Sequence, residues 1–324
     1  LPRFFFVRKL LPTFAPAKIV IHGMLMSALI IAVVLLVVML VLGYVLTTYV
    51  LPYTILQPGL RTGDATPGEY GLPYEHFQFH VGDSIDLDAF YVPAAGVARV
   101  NFIMLHGVGS CKEVYLSSVA ELVALGYNVL LWDQRAHGKS GGKYLTYGYY
   151  EKHDVSKAID WLEDKAPGLP TGIYGNSMGG GVALQSLAHD PRLRFGLIES
   201  TFTDLPAVAN AYGRRMSGLP LPGWLTDYVL TRAGKIAGFD PFSVRPLAAA
   251  RNITQPVMHI HGDADANIDV SHAHALFGAL ASEDKQLYIV AGGDHADLWD
   301  VGGEGYREVW FGFLRREDFN NLSG

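Results

Sequence analysis

The sequence predicts an α/β fold: a mostly parallel central sheet with helices on both faces, a short helical insertion, and one amino-terminal transmembrane helix. Three observations carry that expectation. Short apolar runs alternate with segments of helical periodicity, the pattern of buried parallel strands joined by crossover helices. One such run, Thr171-Gly172-Ile173-Tyr174, leads into Gly175-Asn176-Ser177-Met178-Gly179-Gly180 and then into a helix that continues through Val182, Ala183, Leu184 and Leu187. Finally, no Asp, Glu, Lys or Arg occurs between Ile19 and Leu60.

Composition bounds the rest. Half of the 324 residues are apolar, enough for one large α/β domain with a substantial core and an appendage. The net charge of −6 hides an asymmetry, because residues 1–18 carry Arg3, Arg8, Lys9 and Lys18 without an acid, which leaves the remainder at −10. An acidic body argues against a nucleic-acid partner. Cys111 is the only cysteine, so no intramolecular disulfide can form, and it reads as a small packing residue.

Residues 1–18 form a basic tail and residues 19–53 a membrane anchor. Met24 to Leu42 is almost wholly apolar, and nineteen residues at the helical rise span about 28 Å, close to a hydrocarbon core. A cleaved signal peptide would have a shorter apolar region and a small-residue cleavage site, whereas here Gly43-Tyr44-Val45-Leu46 continues the run. Basic residues precede the span and Asp64, Glu69, Glu75 and Asp83 follow it. The positive-inside rule therefore expects a single-pass chain with a cytosolic amino terminus and the remainder on the far side, with Tyr44, Tyr49 and Tyr53 near the far interface. Residues 54–73, rich in proline and glycine, read as a linker to a domain over 74–324.

His76–His80 and Ile85–Phe90 alternate around Val81-Gly82-Asp83-Ser84, a hairpin that opens the sheet with His76 and His80 on its surface. Val100–Leu105 is a buried strand ending in His106-Gly107-Val108-Gly109-Ser110. That glycine-rich loop is expected to fold over Ser177, with the backbone amides of Val108 and Met178 forming an oxyanion hole. A plain glycine-rich turn is the competing reading. A helix over about 113–125 and a strand at Tyr127–Trp132 follow, then Asp133-Gln134-Arg135-Ala136-His137-Gly138-Lys139-Ser140.

Ser177 reads as a nucleophile. A strand that turns this sharply into a helix strains the serine backbone and lifts its hydroxyl clear of the sheet, and Gly175 and Gly179 let strand and helix approach. By itself G-x-S-x-G is a weak signal; its position between Thr171–Tyr174 and the next strand, Phe195–Ile198, strengthens it. The strand Pro256–Gly262 delivers Asp263 and Asp265 to the sheet's carboxyl edge, and the last core strand, Gln286–Val290, is followed by Ala291-Gly292-Gly293-Asp294-His295. His295, on a glycine-rich loop, is the expected general base, since an imidazole titrates near neutrality. The order serine, aspartate, histidine, each after a strand, strengthens the assignment of all three.

These motifs together resemble the α/β-hydrolase superfamily. His106-Gly107-Val108-Gly109, Asp133-x-Arg135-x-x-Gly138-x-Ser140, Gly175-x-Ser177-x-Gly179 and His261-Gly262-x-x-Asp265 stand in the superfamily's order and approximate spacing across residues 75–315. The pattern is most similar to the branch of membrane-anchored, monoacylglycerol-lipase-like or serine-aminopeptidase-like hydrolases, with Tyr147-Gly148-x-x-Glu151-x-x-Asp154 in support. The resemblance implies an α/β-hydrolase fold, selects Asp265 over Asp263 as the triad acid, and makes the Asp133–Ser140 segment structural, which leaves His137 a poor triad candidate.

The insertion at about 202–239 stands where that family carries a lid. Leu221, Trp224 and Tyr228 are its candidate substrate contacts, although helices that merely pack on the core would look the same. His259 with His261, and His272 with His274, suggest a metal only weakly, because nothing nearby completes a ligand set. The final helix, after Gly302–Gly305, packs through Val309, Trp310, Phe313 and Leu314.

The sequence thus points to a serine hydrolase of small-molecule or lipid esters that uses no cofactor and no metal. Two rivals stand beside it. A peptidase or amidase with the same triad would place a carboxylate near the scissile bond to hold an amino terminus, and an anchored binding module would be catalytically silent.

Overall fold

The computed structural model describes residues 15–57 and 61–321, so the basic tail expected over 1–18 lies almost wholly outside the described residues, as does the centre of the expected linker. The chain divides into two units, up to Val50 and from Leu51 onward.

In the first unit, helix α1 (Ala15–Val45) runs for 31 residues and continues as a π-helical turn, Leu46–Val50. Its apolar side chains are exposed all round rather than on one face. A helix of this kind does not build a soluble core; it is long and apolar enough to cross a membrane.

The second unit opens with a short helix, α2 (Leu51–Leu56), where the sequence suggested anchor running into linker. An eight-stranded sheet follows, in the order β1-β2-β4-β3-β5-β6-β7-β8. Strands β1 (Glu75–His80) and β2 (Asp86–Val92) form the expected antiparallel hairpin, with Asp83 and Ser84 at positive φ in its turn. β2 also pairs antiparallel with β4 (Tyr127–Trp132). β3 (Val100–Leu105), β5 (Thr171–Asn176), β6 (Leu193–Glu199), β7 (Val257–Gly262) and β8 (Lys285–Val290) complete a parallel set with β4.

Both faces of this set are covered, which is why its strands are mostly apolar. Ile103 and Leu105 point to one core with α4 (Glu151–Lys165), α5 (Met178–His189), α8 (Pro246–Ala250) and α9 (Ser271–Ala279). Their neighbours Phe102 and Met104 point to the opposite core with α3 (Leu116–Ala124) and α10 (Leu298–Leu314). The last helix starts before the glycine run expected to precede it and kinks at Gly303, whose φ of 51° and ψ of −134° interrupt the helical backbone.

The insertion folds as two helices, α6 (Leu205–Ser217) and α7 (Gly223–Ala237), joined by Gly218-Leu219-Pro220-Leu221-Pro222. A third apolar cluster forms beneath them from Phe202, Leu205, Leu230, Ala233, Phe239, Val244 and Ile268, and Leu56 of α2 is fully buried in it. The segment is pinned further by the Tyr147 hydroxyl donating to the Ile55 carbonyl at 2.9 Å and by the Leu145 amide donating to the Leu56 carbonyl at 3.1 Å.

Register decides where function can sit. Leu105 pairs with Gly175, Asn176 with Glu199, Glu199 with Ile260 and Gly262 with Val290. The carboxyl ends of five neighbouring strands are thereby aligned, and the loops after them meet along one rim.

Candidate active site

At the end of β5 the chain turns into α5 through Ser177, whose φ of 55° and ψ of −118° leave the ordinary regions for a residue with a side chain. Such a conformation costs roughly 1–3 kcal/mol and persists only where its surroundings impose it. Here the Ser177 amide donates to the Glu199 carbonyl at 2.9 Å, and the Thr201 hydroxyl donates to the Ser177 carbonyl at 2.7 Å. The flanking glycines are a steric requirement. A Cβ on Gly175 would lie 2.1 Å from the Gly179 carbonyl oxygen, and one on Gly179 would lie 2.2 Å from that of Leu105.

The loops after β7 and β8 bring two further side chains to this turn. The Ser177 hydroxyl lies 3.0 Å from His295 Nε2, and His295 Nδ1 lies 2.7 Å from Asp265 Oδ2. Asp265 Oδ1 accepts from the amides of Asn267 and Ile268, both at 2.8 Å. Burial works to raise the Asp265 carboxyl, but hydrogen bonds from His261 and His295, the charge of His295 and the Ile268 amide outweigh it and hold the carboxyl well below its usual range. His261 Nε2 sits 3.4 Å from Asp265 Oδ2 and donates to the Ile268 carbonyl at 2.8 Å.

Asp263 does not join this group. Its Oδ1 accepts from the Gly292 amide, which ties the β7 turn to the β8 turn. Asp294 Oδ1 accepts from the amides of Ala266 and His295, so it braces the loop that carries the imidazole.

The loop after β3 lies against the nucleophile's turn, close enough that a Cβ on Gly107 would meet the Ser177 Cβ at 3.2 Å. Two buried histidines stitch it down. His106 Nδ1–H donates to the Gly107 carbonyl at 2.8 Å while its Nε2 accepts from the Gln134 amide at 2.9 Å, and burial, with the neighbouring His137 second, pushes this imidazole down to about 4. His137 Nδ1–H donates to the Arg135 carbonyl and its Nε2 accepts from the Gly109 amide at 3.0 Å, with burial lowering its pKa. Both rings are neutral linkers. Lys112, fully buried, bonds Asp88 at 2.7 Å and Asp133 at 2.8 Å, and Arg135 forks onto Asp154. Cys111 is buried and its thiol is pushed up to about 11, first by burial and then by Glu113, which suits a packing role.

A cavity of about 720 Å³ opens over Ser177 and His295. Val108 and Met178 are on its wall, and neither of their amides donates to another main-chain group among the described residues. From the insertion, the wall takes Val208, Tyr212 and Arg215 of α6. Leu221, Trp224 and Tyr228 do not line it, contrary to their expected place as substrate contacts. The apolar face of α7 is spent on the cluster around Leu230 and Ala233, while Trp224 is 70% exposed. The paired histidines also serve locally: His272 Nδ1, for example, accepts from the Thr203 amide at 3.1 Å.

Sequence reasoning missed the group behind the nucleophile. Glu199, the last residue of β6, accepts from Asn176 Nδ2 at 2.8 Å and from the Tyr306 hydroxyl. Once the strands are aligned by their apolar runs, Asn176 and Glu199 fall side by side. That alignment was the available signal.

Comparison with known proteins agrees with the architecture. The family model for "serine aminopeptidase, S33" matches residues 97–212. The uncharacterized protein YqkD of Bacillus subtilis is 34% identical over 259 residues, covering 74% of this chain and 83% of that protein. Human monoglyceride lipase is 26% identical over 274 residues, covering 74% and 90%. The Pyrococcus furiosus esterase Pf2001 superposes with a TM-score of 0.68 at 28% identity, covering 81% of this chain and 98% of that one.

Proposed function

The chain belongs to the α/β-hydrolase superfamily, in its monoacylglycerol-lipase-like branch, and from that premise we propose that it is a membrane-anchored serine hydrolase of carboxylic esters. The observation that carries the reading is the unbroken hydrogen-bonded line from Ser177 through His295 to Asp265, with Ser177 and His295 on the wall of one cavity. Ser177 Oγ attacks the ester carbonyl carbon as its proton passes to His295 Nε2, and Asp265 holds the imidazole tautomer and offsets the positive charge. The Val108 and Met178 amides receive the developing oxyanion. The imidazolium then protonates the departing alkoxide. Water attacks the acyl-enzyme by the same relay in reverse and releases the acid.

Acyl or aryl esters suit a cavity whose wall includes Phe202, Val208, Tyr212, Leu298 and Trp299. The α1 helix would hold the enzyme in the bilayer, with the amino terminus cytosolic and the hydrolase on the other face. A peptidase reading requires a carboxylate free to bind an amino terminus. Glu199 is on the cavity wall with both oxygens already accepting hydrogen bonds from the protein, whereas the exposed Asp300 on the same wall could serve a peptidase, so the turnover comparison below decides between the two.

Labelling with a fluorophosphonate probe, beside turnover of p-nitrophenyl acyl esters and aminoacyl anilides, tests this. Ser177→Ala should abolish labelling and lower ester turnover by roughly 10⁴-fold or more. Wild-type turnover in that variant would sink the reading, and faster turnover of anilides than esters would replace it with the peptidase.

A further inference from the structure

A buried carboxylate without a cation stands directly behind the nucleophile. Glu199 is only 7% exposed, and among the described residues no basic side chain pairs with it. Its donors are neutral: Asn176 on Oε1 and the Tyr306 hydroxyl on Oε2. Tyr115, edge-on to Tyr174 with ring centres 5.3 Å apart, completes the enclosure. Burying an unpaired carboxylate is costly, and a glutamine or methionine would fill such a space without that cost.

Its connections suggest why a charge is kept there. Asn176 immediately precedes Ser177, and the Ser177 amide is held by the Glu199 carbonyl, so one residue grips the strained turn by main chain and side chain alike. Tyr306 lies on α10, which begins three residues after His295. Glu199 is therefore the joint between the strand end that carries the nucleophile and the element that follows the imidazole.

We propose, building on the serine-hydrolase reading, that Glu199 is a positioning residue: it sets the Ser177–His295 geometry through Asn176 and Tyr306. Burial raises the Glu199 carboxyl, against the hydrogen bonds of Tyr306, Asn176 and Tyr174 and the charge of His295, which pull it down. The titratable groups that face it are Tyr115 from the turn before α3, Tyr174 from β5, Tyr306 from α10 and His295 from the loop after β8. Burial and the neighbouring Glu199 carboxylate raise Tyr115, Tyr174 and Tyr306, which stay protonated.

The test compares Glu199→Gln, which keeps the shape and removes the charge, with Tyr306→Phe, which keeps the charge and cuts the joint. In the full-length protein, Glu199→Gln should lower kcat by on the order of 10-fold with KM nearly unchanged. Tyr306→Phe should lower kcat several-fold, again with KM nearly unchanged. A purely structural residue would not split kcat from KM in this way. Wild-type kcat in folded Glu199→Gln overturns the inference. If that variant does not fold, wild-type kcat in Tyr306→Phe does so. Failure of the wild-type protein to label at Ser177 would instead remove the serine-hydrolase reading itself.

Discussion

The rim that carries Ser177 and the two-helix insertion above it are built by different means. At the rim, each reactive side chain sits on a turn fixed by hydrogen bonds to its neighbours: Ser177 by Glu199 and Thr201, Asp265 by Asn267 and Ile268, His295 by Asp294. In the insertion the inward side chains pack as an apolar cluster, while Met216, Leu219 and Trp224 stand in solvent. Reacting atoms need directional contacts that set them to fractions of an ångström, whereas a cover needs only non-directional burial and can shift. On the proposed reading, chemistry would belong to the rim and selectivity to the cover.

Three changes sharpen that contrast, beginning with the largest. Asp265→Asn keeps the shape of the rim but loses the tautomer control, and kcat should fall by roughly 10⁴-fold in ester assays. The same variant has a signature in stability. The folded-state pKa of Asp265 lies below the unfolded one, so its stabilising contribution is present above the ordinary carboxyl range and is lost as pH falls through the folded value. Acid unfolding of Asp265→Asn, followed by circular dichroism, should lose that component. Next, Gly179→Ala forces a methyl group against the Leu105 carbonyl and should cost about 3 kcal/mol in denaturant unfolding, with loss of probe labelling. Smallest of all, Trp224→Ser removes an exposed ring that does not touch the cavity. Stability should change by less than about 0.5 kcal/mol and KM for short esters should stay put. A large kcat loss there would break the division between rim and cover.

What could be read in advance follows the same line. β4 was legible to the residue because Tyr127–Trp132, broken only by Asn128, is an apolar run between polar turns. The positions of Ser177, Asp265 and His295 were legible because each follows such a run. Lys112 was not, since a buried lysine is recognisable only through Asp88 and Asp133, which distant segments supply. The Glu199–Tyr306 bond joins residues 107 positions apart and leaves no periodic trace. Nor did pattern reveal that α7 would turn Trp224 outward, because both faces of that helix carry apolar residues.

The burial of Leu56 bears on where this protein can be shortened. Hydropathy alone invites removal of everything through residue 60, as if membrane and spacer ended together. Yet α2 supplies a leucine to the interior beneath α6 and α7, and its carbonyls receive Tyr147 and Leu145, the former on the cavity wall. Deleting a buried leucine from such a cluster costs about 2–5 kcal/mol. A soluble version trimmed at residue 50 keeps its roof nailed down; one trimmed ten residues later leaves the roof with a hole, and substrates would meet a different enzyme.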